Sequence, residues 1–116
     1  MSEFGELLRS LRKQNKITQR QLASLVGIDF TYISKIESGT MDPPAEDKLI
    51  RMAEVLRVEP EELILSAKKV PTTFQKLITE NSDVPIFLRK ASHLSPKQWE
   101  KIKEIIGADD DGEGKR

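Results

Sequence analysis

Apolar residues recur along this chain at helical spacing nearly everywhere. Phe4, Leu7, Leu8 and Leu11 follow the i, i+3, i+4, i+7 template and predict a first amphipathic helix ending near Asn15-Lys16. Thr18 opens a second: its hydroxyl can cap the helix while Gln21 reaches back in a T-x-x-Q capping box. That helix carries Leu22, Leu25 and Val26 and stops at Gly27. Asp29 is an N-cap for a third helix with Ile33 and Ile36 inward, closed by Gly39. After the Asp42-Pro43-Pro44 loop, Leu49, Ile50, Met52, Ala53 and Leu56 mark a fourth. Pro60, Glu61, Glu62, Leu63 and Ile64 start a short fifth. Five helices within residues 1–66 predict a compact all-α domain.

After Ser66 the pattern changes. Residues 67–71 (Ala67-Lys68-Lys69-Val70-Pro71) read as a linker, because Pro71 disfavours helix in the residue before it. Residues 72–106 hold three shorter amphipathic pieces. The first carries Phe74, Leu77 and Ile78. The second carries Ile86, Phe87, Ala91 and Leu94 behind Asp83-Val84-Pro85. The third carries Trp99, Ile102, Ile105 and Ile106 behind Ser95-Pro96-Lys97-Gln98, another capping box with proline at the first helical position. Residues 107–116, rich in Gly and Asp with Ala108 alone apolar, are expected to be a disordered tail.

Composition narrows the chemistry. The 116 residues contain no cysteine and one histidine, His93, which reads as a surface residue. A disulfide framework, a thiolate metal site and a cysteine nucleophile are excluded together, and no metal or cofactor is expected. No apolar run approaches the ~18 residues needed to span a bilayer, and Met1-Ser2-Glu3-Phe4 does not read as a secretory leader. The expected setting is therefore cytoplasmic. The 19 basic and 19 acidic residues cancel but are unevenly placed. Residues 1–66 carry 9 basic and 11 acidic side chains, and residues 67–106 carry 8 and 4. Charge alone thus does not announce nucleic acid. A phosphate-binding G-x-x-x-x-G-K-[ST] loop, a G-x-S-x-G elbow and an H-E-x-x-H pair are all missing, so catalysis is not expected.

A short second helix, a glycine turn and a third helix invite comparison with the helix-turn-helix, whose second helix enters the major groove. The spacing makes physical sense. Ala23 suits the closest crossing of the two helices, and Gly27 suits a left-handed turn. Leu22, Val26, Ile33 and Ile36 supply the apolar contacts that hold the crossing angle. The run Thr18-Gln19-x-x-Leu22-Ala23-x-x-x-Gly27-Ile28, then Tyr32-Ile33-Ser34-x-Ile36-Glu37-x-Gly39, Pro43-Pro44 and the Leu49–Leu56 helix, resembles the Xre/Cro/cI family over about residues 4–66. The resemblance implies a five-helix, lambda-repressor-like DNA-binding domain that reads double-stranded DNA with helix 29–38.

By that resemblance Phe30, Thr31 and Lys35 are base readers, and Gln19, Tyr32, Ser34 and Thr40 are phosphate contacts. Arg12 and Glu37 occupy the positions of an ion pair tying the first helix to the third. The chemistry fits, since Lys35 can donate to guanine O6/N7 and Phe30 or the Thr31 methyl can meet a thymine methyl. Phe30 is unusual for a reader, and Thr40 stands where a basic residue is common. The same residues also admit a packing reading: Phe30 lies three positions before Ile33, and Tyr32 can bury its ring with a hydrogen-bonding tip.

Residues 72–106 are too few for an independent core. Phe74, Leu77, Ile78, Ile86, Phe87, Trp99, Ile102 and Ile106 are therefore expected to form a face covered by a second copy, by the DNA-binding domain or by another protein. A homodimeric repressor on a palindromic operator is the favoured expectation. The run Pro85-Ile86-Phe87-Leu88-Arg89-Lys90-Ala91 with Leu94-Ser95-Pro96-x-x-Trp99 also resembles C-terminal segments of small repressors paired with a metallopeptidase. The alternative is accordingly an antitoxin or peptidase-controlled repressor, whose partner is a toxin or a metallopeptidase.

Overall fold

The computed structural model describes residues 3–107, which form eight helices and no strand. These are α1 (Glu3–Gln14), α2 (Gln19–Val26), α3 (Phe30–Ser38), α4 (Glu46–Leu56), α5 (Pro60–Ser66), α6 (Thr72–Glu80), α7 (Asp83–Ala91) and α8 (Pro96–Ile106). The chain divides into two compact units, Met1–Gln75 and Lys76–Arg116. This division falls inside α6, beyond the 67–71 stretch that the sequence suggests as a linker. Those residues are tied to the first unit. The Lys69 N–H donates to the Ile64 carbonyl at 3.1 Å, Pro71 is buried, and the Thr72 hydroxyl donates to the Glu46 carboxylate at 2.8 Å. The expected disordered tail lies outside the described residues except for Gly107, which caps α8 in the left-handed region at φ 69°.

In the first unit α1 packs on α3, α2 on α3 and α4, and α4 on α5. Leu8, Leu22, Ile33, Ile36, Leu49 and Met52 are wholly buried at the centre, and Leu56, Leu63 and Ile64 close it. Two residues expected inside are exposed, Leu25 at 47% and Ile50 at 38%. Helical geometry gives the reason: each lies roughly 110° round from the middle of its helix's buried stripe. Leu22, Ala23 and Val26 make that stripe in α2, and Leu49, Met52, Ala53 and Leu56 make it in α4.

Local chemistry sets most helix ends. Thr18 forms both bonds of its capping box with Gln21, and Gly27 follows α2 at φ 83°. The ends of α4 lack such signals: Ala45 caps its start with no side-chain bond, and Arg57 takes a left-handed conformation, φ 63°, at its finish. Packing of the α4 stripe holds those ends. The amide of Asn15 adds a cross-brace, donating to the carbonyls of Leu11 at 2.8 Å and Leu56 at 3.0 Å.

In the second unit, Ser95 and Gln98 complete their capping box at the start of α8. No side chain of α7 or α8 is buried. Val84, Ala91, Leu94 and Ile102 are half-buried, while Ile105 and Ile106 are 81% and 68% exposed.

Candidate nucleic-acid interface

The interface is built on the α2–turn–α3 unit. Ala23 is buried at the crossing, and its carbonyl accepts from the N–H groups of both Gly27 and Ile28, which tightens the turn. Asp29 then caps α3 by accepting from the Thr31 N–H at 3.0 Å and from the Thr31 hydroxyl. These two bonds, the hydroxyl first, hold the Asp29 carboxyl below its ordinary range, so a fixed anion stands at the front of α3. Gly39 ends the helix in the left-handed region at φ 87°.

The orientation of α3 is set from its buried side. Glu37 is only 3% exposed, an unusual position for a carboxylate, and its charge is fully partnered. Arg12 donates from Nε to Glu37 Oε2 at 2.8 Å and from Nη2 to Oε1 at 3.1 Å, a two-pronged contact. The remaining Arg12 prong reaches the Ile17 carbonyl at 3.0 Å. Gln19 donates from Nε2 to Glu37 Oε1 at 2.9 Å. One carboxylate therefore joins α1, the start of α2 and α3. The close approach is completed by Gly5, where a Cβ would lie 2.5 Å from the Glu37 carbonyl oxygen.

The residues expected to meet DNA are distributed as follows. Thr31 and Lys35 are exposed on α3, and Ser34 is half-buried beside them. The Thr31 hydroxyl proton is committed to Asp29, so toward solvent this residue offers its methyl and a lone pair. Tyr32 is half-buried against the core, with its ring serving as packing. Gln19 has one amide N–H on Glu37 and a second left for another acceptor. The Thr40 hydroxyl is turned back to the Lys35 carbonyl at 3.2 Å and lies 3.0 Å from the Ser38 hydroxyl, closing the C-terminal turn of α3. Phe30 is half-buried and packs against the core, and the guanidinium carbon of Arg20 stands 4.2 Å from its ring centroid.

Arg20 is absent from the residues the sequence singled out, as is the cleft it shares. A hollow of about 750 Å³ runs between the end of α1 and the start of α2. Arg9, Arg12, Lys13, Lys16 and Arg20 line it, with Phe30 at one side and no acidic residue. Counting charge over residues 1–66 hides this cluster, because the acidic side chains concentrate from residue 41 onward. Its place beside the α2 N-terminus adds the partial positive charge of unpaired backbone N–H groups.

The residues expected to form a dimer or partner face lie on α6, α7 and α8. Phe74 is exposed on the part of α6 that belongs to the first unit. Leu77, Ile86, Phe87, Trp99 and Ile106 are exposed in the second unit, and Ile78 and Ile102 are half-buried there. Among the described residues, no helix is long and apolar enough to cross a membrane.

Comparison with known proteins agrees with this geometry. Residues 8–63 match the family described as Helix-turn-helix. The chain is 32% identical to RghRB of Bacillus subtilis (strain 168), an HTH-type transcriptional regulator, over 91% of this chain and 90% of that protein. It is 39% identical to RghR of the same organism, an HTH-type transcriptional repressor, over 58% of this chain and 50% of that protein. The solved structure of the SinR/SinI complex shares the fold at 22% identity, with a TM-score of 0.52 over 90% of this chain and 94% of the other. With α2 and α3 in the geometry described, the chain belongs to the Xre-type helix-turn-helix family of DNA-binding transcriptional regulators.

Proposed function

We propose that this regulator is a homodimeric repressor that reads a palindromic operator with α3 in the major groove. The observation that carries the reading is the Glu37 clamp: it holds α3 by its inner side and leaves Thr31 and Lys35 free on the outer one. Lys35 then meets a base edge, and the cationic cleft beside α2 meets the phosphates that flank it. Ser34 and the second N–H of Gln19 add phosphate contacts at the two ends of this surface.

Two copies are needed because one short helix spans only a few base pairs and five cations give limited hold on the backbone. The apolar side chains of α7 and α8 support this, since Ile86, Phe87 and Trp99 remain exposed and Ile105 and Ile106 more so. Repression needs nothing beyond occupancy of a promoter, and the relative RghR is a repressor by name. A regulator that acts on DNA in this way would work in the cytoplasm.

Selection from a random duplex library with the full-length chain, at ~0.15 M salt, tests the reading. An enriched palindrome with half-sites about one helical turn apart is expected. Unenriched sequences from a folded sample would overturn specific recognition, and a single unpaired half-site would overturn the dimer. The same exposed side chains favour one second reading, in which another protein such as a toxin or metallopeptidase covers them. In that case light scattering at high concentration returns a monomer.

A further inference from the structure

We propose that Arg20 is a base reader: stacked on Phe30, it takes the O6/N7 edge of a guanine while the ring lies against the C5-methyl of a thymine in the adjacent base pair. The inference rests on α3 lying in the major groove and adds to it a residue on α2. Arg20 is exposed, and no described residue takes any of its N–H donors in a hydrogen bond or ion pair. Its position is nevertheless defined, because its guanidinium carbon stands 4.2 Å from the centroid of the Phe30 ring. That ring is in turn seated on the core at the first position of α3. The stack joins the beginning of the reading helix to the helix before it.

Three features favour a base over a phosphate as the ligand of Arg20. Stacking restrains a planar fork, which matters for two parallel bonds to one guanine edge and matters little for a point contact with phosphate. A cation in the first turn of α2 is opposed by the helix dipole, so the local helix gains nothing from its presence. The neighbouring cations Arg9, Lys13 and Lys16 already supply phosphate charge in the same cleft. Phe30, which has no polar atom for a base edge, acquires a function as the apolar half of a mixed pair: ring for methyl, guanidinium for guanine.

The test uses the full-length chain and site selection on wild type, Arg20→Met and Phe30→Ala, followed by titration of the selected duplex. Wild type is expected to enrich a thymine and a guanine in adjacent pairs near the end of each half-site. Replacing that guanine by 7-deazaguanine, or that thymine by uracil, should weaken wild-type binding, the guanine change by roughly tenfold. Arg20→Met keeps an apolar stem of similar length, removes every donor and should lose the guanine preference, binding the substituted and natural duplexes alike. Phe30→Ala should lose the thymine preference, and the uracil duplex probes the same contact without touching the protein. Weaker binding with an unchanged guanine preference in Arg20→Met would overturn the proposal and make Arg20 a phosphate contact. A wild-type site lacking the thymine–guanine pair would overturn it too, with specific recognition intact. Absence of any enriched site would remove both readings.

Discussion

Gly5→Ala sets two effects of opposite sign against each other. Alanine is the better helix former, and in an ordinary helix interior the change is worth about 1 kcal/mol in favour of folding. Here the new methyl would stand 2.5 Å from the Glu37 carbonyl oxygen, 2.7 Å from that of Ile36 and 3.0 Å from the Glu37 carbonyl carbon. Ordinary contact begins at 3.4 Å, so α1 must retreat from α3 by about 0.9 Å, and the obstructing atoms are backbone that cannot rotate away. Overpacking of this kind costs about 1–3 kcal/mol, and the retreat also pulls Arg12 from the Glu37 clamp. The steric cost less the propensity gain leaves ~0–2 kcal/mol, and the loosened clamp raises the lower bound, so a net loss of ~1–2 kcal/mol is expected. For a unit of this size that is a fall in Tm of roughly 5–15 °C. Thermal unfolding followed by far-UV circular dichroism measures it. Ser10→Ala, at an exposed site on the same helix, serves as the propensity control and should gain roughly 0.3 kcal/mol. A Gly5→Ala protein as stable as wild type, or more so, would refute the close approach of α1 and α3.

The Glu37 clamp predicts that Glu37→Ala costs about 3 kcal/mol in urea unfolding, toward the lower end for a broken buried pair because Arg12 keeps some contact with water. A loss under ~1 kcal/mol would mean that packing alone orients α3. Thr18→Ala removes the cap of α2 and should cost ~1 kcal/mol by the same assay, with m unchanged. Asp29 gives a pH dependence. Its folded carboxyl lies below the ordinary value of 3.8, so its contribution is present above that pH and is lost as pH falls through the folded value. Asp29→Asn keeps the cap and should flatten the acid limb of the stability curve; an unaltered limb would assign acid sensitivity to other carboxylates. Ile106→Asp, at a residue 68% exposed, should leave helix content unchanged while lowering the mass seen by light scattering. An unchanged mass would remove that residue from the dimer face.

Features governed by neighbours in sequence were legible before the fold was known. Thr18 with Gln21, Asp29, Gly39 and Ser95 with Gln98 act within one turn of chain, and each appears at its expected helix end. What the sequence concealed depends on residues far apart in it. Gly5 reads as a poor helix residue until α3 is laid across it, and Asn15 as a terminator until its amide reaches Leu56. The bounds of α4 carry no local signal, because burial of its stripe overrides an uncapped start and a strained arginine at the end. In the candidate interface, Glu37 and Arg12 were recognisable as a pair and Gln19 as a brace of the third helix, whereas the atom Gln19 holds, a Glu37 carboxylate oxygen, came from geometry. Arg20 escaped notice because its neighbour Phe30 is ten positions away and on another helix. The cationic cleft escaped because a net charge over 66 residues averages away a local field.

Lys16, Arg57 and Lys68 are the non-glycine residues with left-handed backbone among the described residues, at φ 58°, 63° and 62°. All three are basic, and each conformation stores strain of about 1 kcal/mol that glycine would release, less the greater chain entropy glycine loses on folding. They form a reserve from which a more heat-resistant version of this domain can draw, but its withdrawals are unequal. Glycine at Arg57 or Lys68 leaves the cationic cleft untouched, so endurance can rise there while DNA affinity stays fixed. At Lys16, which lines the cleft, the same exchange surrenders a charge. Adaptation to temperature and the positive charge of the cleft are thus independent at two of these positions and bound together at the third.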